Sequence, residues 1–203
     1  MFITILNTYR IWITRYFAVF FAIFYFFSYS ALEERIPLLA GFLFFIGCIL
    51  IAIATVGRLW CALYIAGYKT NTLITSGPYS ISRNPLYFFS FLGAIGLGLI
   101  TKTFTLTLWV LVIYALYYPF VIYYEKNTMR GRHPEEYKKY QKRVPLFFPN
   151  FSLLKDEETY VTKPHKFRKE MLSALWFIWF LAIIEFINVL HELRLIPVFY
   201  GLY

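Results

Sequence analysis

A chain of 203 residues that is 60% hydrophobic and only 15% charged carries more apolar surface than a soluble domain of its length can hide, because a water-soluble exterior needs polar and charged groups to cover it. With a mean hydropathy of +0.58, its solvent reads as lipid. The net charge of +9 then reads as loops held beside anionic lipid rather than as a nucleic-acid surface. Two cysteines, Cys48 and Cys61, make no disulfide framework and lack metal-knuckle spacing, so they read as small packing residues.

Taken in order, residues 1–15 read as a short amphipathic lead-in. Arg10 and Arg15 precede the apolar run Tyr16–Leu32, which is long for a signal-peptide core and has no small-x-small cleavage site after it. An uncleaved first transmembrane helix, about Ile11 to Ala31, is expected. Glu33 to Pro37 reads as a polar turn. A second helix runs from about Leu38 to Val56, with Gly57-Arg58 marking its end and Trp60, Tyr64 and Tyr68 continuing at helical spacing along the interface. A polar island, Asn71 to Tyr87, follows. Within it Thr75-Ser-Gly-Pro-Tyr79 is turn chemistry, where Gly77 permits positive φ. Asn84 reads as an N-cap and Pro85 as the first residue of a third helix reaching about Ile100. Gly93, Gly96 and Gly98 present a smooth face for close helix contact.

Thr101-Lys102-Thr103 is long enough only for a tight turn, so a fourth helix, about Phe104 to Tyr124, packs antiparallel to the third. A charged stretch then begins at Glu125. Pro134 to Arg143 reads as a short amphipathic helix with Tyr137, Tyr140 and Val144 on one face, and Pro145 ends it. Taken singly, those tyrosines read as lying on lipid. Residues 150–170 read as a polar linker, and Met171–Leu190 as a fifth span whose Glu185 reaches the interface. Basic residues gather before helix one, between helices two and three, and between four and five. With five spans those segments share one side, which the positive-inside rule makes cytoplasmic.

The fold class is therefore an all-α membrane protein of about five transmembrane helices. Its expected cofactor pocket lies at the cytoplasmic face, between the loop before helix three and the segment after helix four. Three units are expected: residues 1–57 (helices one and two), 58–149 (the core) and 150–203 (linker and last helix). The hairpin of helices three and four makes the island and Glu125–Pro149 neighbours. The island offers backbone polar groups suited to a nucleoside or amino-acid moiety, and the N-terminus of helix three attracts a carboxylate or phosphate. It reads equally as a capped connection between two spans. Glu125 alone is either a ligand acceptor or a solvated carboxylate. Zinc ligand clusters, a P-loop, G-x-S-x-G and a Rossmann fingerprint are all missing from the sequence, and His133, His165 and His191 are scattered. Methyl transfer from a sulfonium demands little beyond alignment and desolvation, and it fits this inventory.

Asn71-Thr-Leu-Ile-Thr-Ser-Gly-Pro-Tyr79, Arg83-Asn84-Pro85-Leu-Tyr87, and Glu125 followed by Glu136-Tyr137, Tyr140, Val144-Pro145 and Pro149 together resemble the isoprenylcysteine carboxyl methyltransferase family of integral-membrane enzymes, over about Arg58 to Pro149. The resemblance implies S-adenosyl-L-methionine as cofactor. It implies a cofactor site formed by Asn71, Thr72, Leu73, Ile74, Tyr79, Asn84, Pro85, Leu86, Tyr87 and Glu125, with Arg83, Asn84 and Glu125 as the catalytic candidates. It also implies a lipophilic or lipidated acceptor, carboxyl O-methylation of an isoprenylcysteine-like substrate, and a multi-pass location in a bacterial inner membrane or the endoplasmic reticulum. Asn71 and Asn84 stand where the family carries histidine, Lys126 where it carries a second glutamate, and Val121 where it carries a substrate arginine, for which Arg83, Arg130 and Arg143 are the candidate replacements. The competing readings are a nicotinamide-dependent reductase of the sterol-reductase type and a non-catalytic membrane protein that keeps the fold. Membrane lipid is an expected partner; a metal and nucleic acid are not.

Overall fold

The computed structural model describes residues 16–17, 19–68 and 72–203. The chain is an all-α membrane protein, as its apolar runs require: in lipid a spanning segment must satisfy its own backbone hydrogen bonds, which a helix does internally. The elements in order are α1 (19–26), a short strand β1 (Ser28–Ser30), α2 (Ala31–Arg35), α3 (Pro37–Ile65), α4 (Pro78–Ile81), α5 (Pro85–Leu99), α6 (Phe104–Arg132), α7 (Pro134–Arg143), a 3₁₀ turn (Phe151–Leu153), α8 (Pro164–Ala174), α9 (Trp176–Glu192) and β2 (Tyr200–Leu202). Three of the described stretches are long and apolar enough to cross a membrane: Pro37–Ile65, Phe104–Arg132 and the run Pro164–Glu192. α5 is apolar but shorter, at 15 residues. Large apolar side chains such as Leu38, Val56, Leu116 and Phe186 point outward, as a surface facing hydrocarbon requires.

The centre of the bundle is the contact of α3 with α5. A Cβ on Gly47 would come within 2.7 Å of the Ile100 side chain, and one on Gly96 within 2.8 Å of the Gly47 carbonyl oxygen. Bare backbone is what lets these helices touch. The glycines of α5 do not form one smooth face, however. Gly93 meets Phe177 of α9, Gly96 meets α3, and Gly98 meets Thr107 of α6, so each admits a different neighbour. Tyr25, Ile51, Ile100, Leu106, Ile184 and Ile187 fill the space between them. The α5–α6 turn is as tight as its length demands. Thr103 caps α6 by accepting from the Leu106 N–H, Thr101 Oγ1 donates to the Gly98 carbonyl at 2.6 Å, and Lys102 takes a φ of 57°.

Several expected boundaries move. The first helix lies partly outside the described residues; within them it stops at residue 26, and Ser28–Ser30 instead pairs in parallel with Tyr200–Leu202. The stretch Glu33–Arg35 belongs to helix α2, because the Ser30 hydroxyl accepts from the Glu33 N–H and caps it. Gly57-Arg58 does not end α3. The helix runs on to Ile65, and Gly57 instead admits the Phe89 ring, which a Cβ would meet at 2.1 Å. α6 continues two turns beyond Tyr124 to Arg132, for want of any breaker before Pro134. The last span begins at Pro164 and is interrupted at Leu175, whose N–H caps α8. Asn188 Nδ2 donates to the Glu185 carboxylate at 3.0 Å, and Tyr25 donates its hydroxyl to the Asn188 amide oxygen. Glu185 is thus held by the bundle rather than left to water alone. At the same end Lys102 pairs with Glu33, and Ser30 Oγ donates to the Lys102 carbonyl at 2.7 Å.

Because the α3–α5 crossing has no spare volume, Gly96→Leu should destabilise the protein by about 1–3 kcal/mol or block folding. A lower thermal unfolding midpoint in detergent, with Gly41→Leu (nothing lies within 4 Å of a Cβ there) unchanged, is the expected result.

Candidate functional site

The island end of the bundle is built by three segments that fold onto one another. Gly77 takes a φ of 55° and ψ of −132°, a conformation open to glycine at little cost; a Cβ there would also strike the Tyr64 ring at 2.3 Å. This turn aims α4 back across the bundle, and Pro85 then starts α5. The chain after α7 runs alongside. Arg83 N–H donates to the Pro145 carbonyl at 2.9 Å, Ser82 Oγ to the Phe147 carbonyl at 2.9 Å, and Asn150 N–H to the Ile81 carbonyl at 2.9 Å. The island and Glu125–Pro149 are therefore neighbours.

Asn84 occupies the N-cap position of α5, but its side chain makes no cap bond. Its Nδ2 donates to the Leu146 carbonyl at 2.8 Å. The amide thus stitches the island to the following segment, which competes directly with capping. Residues 150–163 are likewise no free linker. Gly77 N–H donates to the Lys155 carbonyl at 2.8 Å, and Lys155 N–H to Ser80 Oγ at 2.9 Å. Tyr64 donates to Asp156, Tyr160 to the Tyr64 carbonyl, and Thr162 to the Leu63 carbonyl. The segment straps the island to the end of α3.

Tyr137, Tyr140 and Val144 do share one face of α7, but that face is buried against Leu73 and Met129 instead of lying on lipid. Tyr140 donates to the Tyr79 carbonyl at 2.6 Å, and its burial pushes the phenol above its ordinary pKa. The outer face of α7 and the start of the island bound a cleft of about 630 Å³, within the size range of small-molecule sites. Thr72, Leu73 and Thr75 form one wall; His133, Glu136, Lys139, Tyr140 and Arg143 form the other. His133 Nδ1 lies 3.6 Å from Glu136. Among the described residues, His133 Nε2 and Arg83 Nε are buried without a hydrogen-bond partner.

The residues singled out in the sequence fall into separate groups. Thr72 and Leu73 line the cleft. Ile74 is half-buried beside them in the chain. Tyr79 contributes its carbonyl to Tyr140. Pro85 is buried in the first turn of α5, and the Leu86 carbonyl accepts from Ser90. Tyr87 donates its hydroxyl to Glu125 at 2.5 Å, and its own carbonyl accepts from Tyr114 at 2.5 Å. That network sits between α5 and α6, away from the cleft-lining set. Arg83 and Asn84 face Pro145 and Leu146. Asn71 lies outside the described residues. Of the cleft's other residues, Thr75 and Glu136 appeared in the sequence motifs without a binding role, and Lys139 was not singled out. The signal for the charged wall was present: 136, 139 and 143 recur at helical spacing on the face flanking the buried tyrosines.

Chemically, the cleft presents two cations, one carboxylate and an imidazole around an open volume. A zwitterionic amino-acid group matches that set, its carboxylate meeting Lys139 and Arg143 and its ammonium meeting Glu136.

Residues 37–136 match the phospholipid methyltransferase family. Among curated proteins, the cobalt-zinc-cadmium resistance protein CzcN of Cupriavidus metallidurans is 40% identical over 72% of this chain and 68% of its own length. The nickel-cobalt-cadmium resistance protein NccN of Alcaligenes xylosoxydans xylosoxydans is 38% identical over 76% of this chain and 72% of its own length. No solved structure matches.

Tyr140→Phe removes one hydrogen bond and should cost about 1 kcal/mol of stability. Because the folded phenol titrates above the unfolded value of about 10, the wild type binds the proton more tightly when folded and loses stability as pH rises past that value. Urea unfolding at pH 8 and pH 11 should show a smaller loss for Tyr140→Phe than for the wild type.

Proposed function

The chain belongs to the phospholipid methyltransferase family, within the isoprenylcysteine carboxyl methyltransferase-like superfamily, and from that premise we propose that it is an S-adenosyl-L-methionine-dependent methyltransferase of a lipophilic, membrane-resident acceptor. The observation that carries the reading is the mixed-charge cleft between Thr72–Thr75 and α7, which suits the amino-acid end of that cofactor. In this reading Lys139 and Arg143 hold its carboxylate and Glu136 its ammonium. His133 Nε2, buried and unpartnered among the described residues, is a polar atom of this wall still free to bond the ligand. Bound there, the cofactor supplies a methyl group on a sulfonium, which is already an activated leaving group.

The chain's own work is then positional. The Tyr87–Glu125 hydrogen bond fixes a carboxylate between α5 and α6 that would accept from a ribose hydroxyl or an amine. Asn84 cannot titrate, and its amide is held on Leu146, so no general base stands at that position. An acceptor that is ionised when it binds, such as a carboxylate, needs none. Carboxyl O-methylation of an isoprenylcysteine-like molecule is therefore the finer assignment. The island end carries Lys126, Arg130, Arg132, Lys138, Lys139, Lys142 and Arg143, and we place it in the cytoplasm on the positive-inside rule.

The names of the two relatives favour a second, physiological reading. Both are named for heavy-metal resistance, and the methylated acceptor here would belong to a cell's response to such metals. A metal-sensitive strain expressing the chain should gain tolerance to cobalt or cadmium, and lose that gain on Glu125→Ala.

Titration calorimetry of the detergent-solubilised protein with S-adenosylhomocysteine tests the main reading. Saturable binding is expected. Lys139→Met with Arg143→Met should weaken it tenfold or more without lowering the unfolding midpoint, since both side chains lie on the outer face of α7. Glu125→Ala should cost roughly 1–3 kcal/mol if a buried hydrogen bond is lost. Absence of binding at millimolar ligand sinks the reading.

A further inference from the structure

Arg58 has no part in the cleft just described, yet it is the most anomalous charge in the fold. It lies within α3, in a stretch long and apolar enough to span a membrane, seven residues before the helix ends at Ile65. At 1.5 Å per residue that places its Cα roughly 10 Å inside the helix end. An ionisable group at such a depth is costly and calls for a partner. The partners it has are neutral. Nη1 donates to Ser90 Oγ of α5, Nη2 donates to Ser173 Oγ of α8 at 3.3 Å, and the guanidinium carbon stands 5.6 Å from the centre of the Phe177 ring. Among the described residues no carboxylate lies within ion-pair distance, and Nε is buried with no hydrogen-bond partner.

A structural strut between three helices would account for the two serine bonds. It does not account for the charge, since a neutral donor would bridge two hydroxyls at far lower desolvation cost. A guanidinium is suited to a planar or tetrahedral oxyanion, which it can meet through two parallel N–H groups. The surroundings suit an anion carried on an apolar chain. Phe177 stands beside the arginine, and Phe89 packs on the preceding Gly57. Leu172 and Trp176, flanking Ser173, are 59% and 56% exposed on the surface that faces lipid. The position also communicates with the proposed reaction site. Ser90, which accepts from Arg58, donates to the Leu86 carbonyl at 2.8 Å, and the next residue, Tyr87, holds Glu125.

We propose that Arg58, with Ser90 and Ser173, is the binding point for the oxyanion headgroup of a single-chain amphiphile that enters from the bilayer between α3 and α8. Taking that amphiphile as the methyl acceptor rests on the methyltransferase reading; its binding does not. The carboxylate or phosphate satisfies the charge of Arg58 and displaces the long Ser173 contact, while the chain lies along Phe177, Leu172 and Trp176.

Native mass spectrometry of the detergent-solubilised protein, with palmitate, hexadecyl phosphate and methyl palmitate as probes, tests the proposal. One-to-one adducts with palmitate and hexadecyl phosphate are expected, with methyl palmitate at least tenfold weaker. Arg58→Met should weaken the palmitate adduct at least tenfold and Arg58→Lys less, both retaining wild-type S-adenosylhomocysteine binding by calorimetry. Equal binding of acid and ester by the wild type overturns the proposal, and this comparison stands even if Arg58→Met fails to fold. Unchanged palmitate binding by a folded Arg58→Met overturns it too. Displacement of palmitate by equimolar inorganic phosphate overturns the amphiphile assignment in favour of a free anion. If Arg58→Met loses palmitate and S-adenosylhomocysteine together and Arg58→Lys regains both, the residue is a strut and the proposal falls. A wild type that binds palmitate but not S-adenosylhomocysteine overturns the methyltransferase reading alone.

Discussion

The site depends on one steric constraint: α5 and α6 are joined by four residues, 100–103, and nothing longer. So short a connection forces the helices antiparallel, and it is stabilised from within. Thr101 and Thr103 share a hydroxyl contact at 2.9 Å, Thr101 closes on Gly98, and Gly98 itself leaves room for Thr107. The start of α5 and the end of α6 are thereby returned to the same end of the bundle. Every contact between the island and the chain after Glu125 follows from that return. The backbone bonds of Arg83 and Asn150 to the opposing segment are the means by which irregular chain is tolerated at the edge of a lipid phase, where an unpaired polar group has little water to turn to.

Two layers of polar chemistry lie at that end, and they differ in what they can exchange with the surroundings. The outer layer, between Thr72–Thr75 and α7, is open and carries mixed charge. The inner layer joins Tyr114 to the Tyr87 carbonyl and the Tyr87 hydroxyl to Glu125, packed among stacked rings, with Tyr114 and Tyr118 at 3.8 Å between centroids. A site that works by alignment would use such a division, with the packed inner layer setting geometry and the open outer layer offering charge complementarity.

Much of this arrangement could be read from the sequence. Pro85 at a helix start, Gly77 at positive φ and the shared face of Tyr137, Tyr140 and Val144 each follow from local stereochemistry, which a sequence states directly. The missed features are those in which a side chain serves a distant backbone. Asn84 has the composition of a cap, yet its amide bonds Leu146, 62 residues away. The polar residues of 150–163 have the composition of a linker, yet Tyr160 and Thr162 bond carbonyls at the end of α3. Gly57-Arg58 looks like a stop signal because glycine and arginine are common at helix ends. Only the position of Phe89 and of two serines in other helices shows that both belong to a helix interior. Pattern reveals periodicity; it does not reveal which carbonyl lies within reach.

The pairing of β1 with β2 at the opposite end joins Ser28 to Tyr200 and Ser30 to Leu202. Its two strands stand 172 residues apart (200 − 28), and the Tyr203 carbonyl also accepts from Thr105 N–H. Closing so long a loop is slow and entropically disfavoured until most of the chain is already in place. The backbone of β1 therefore depends on a partner that is far away in sequence: a variant lacking residues 200–202 would leave the backbone of residues 28–30 without its strand partner, at the end of the bundle opposite the Thr72–α7 cleft.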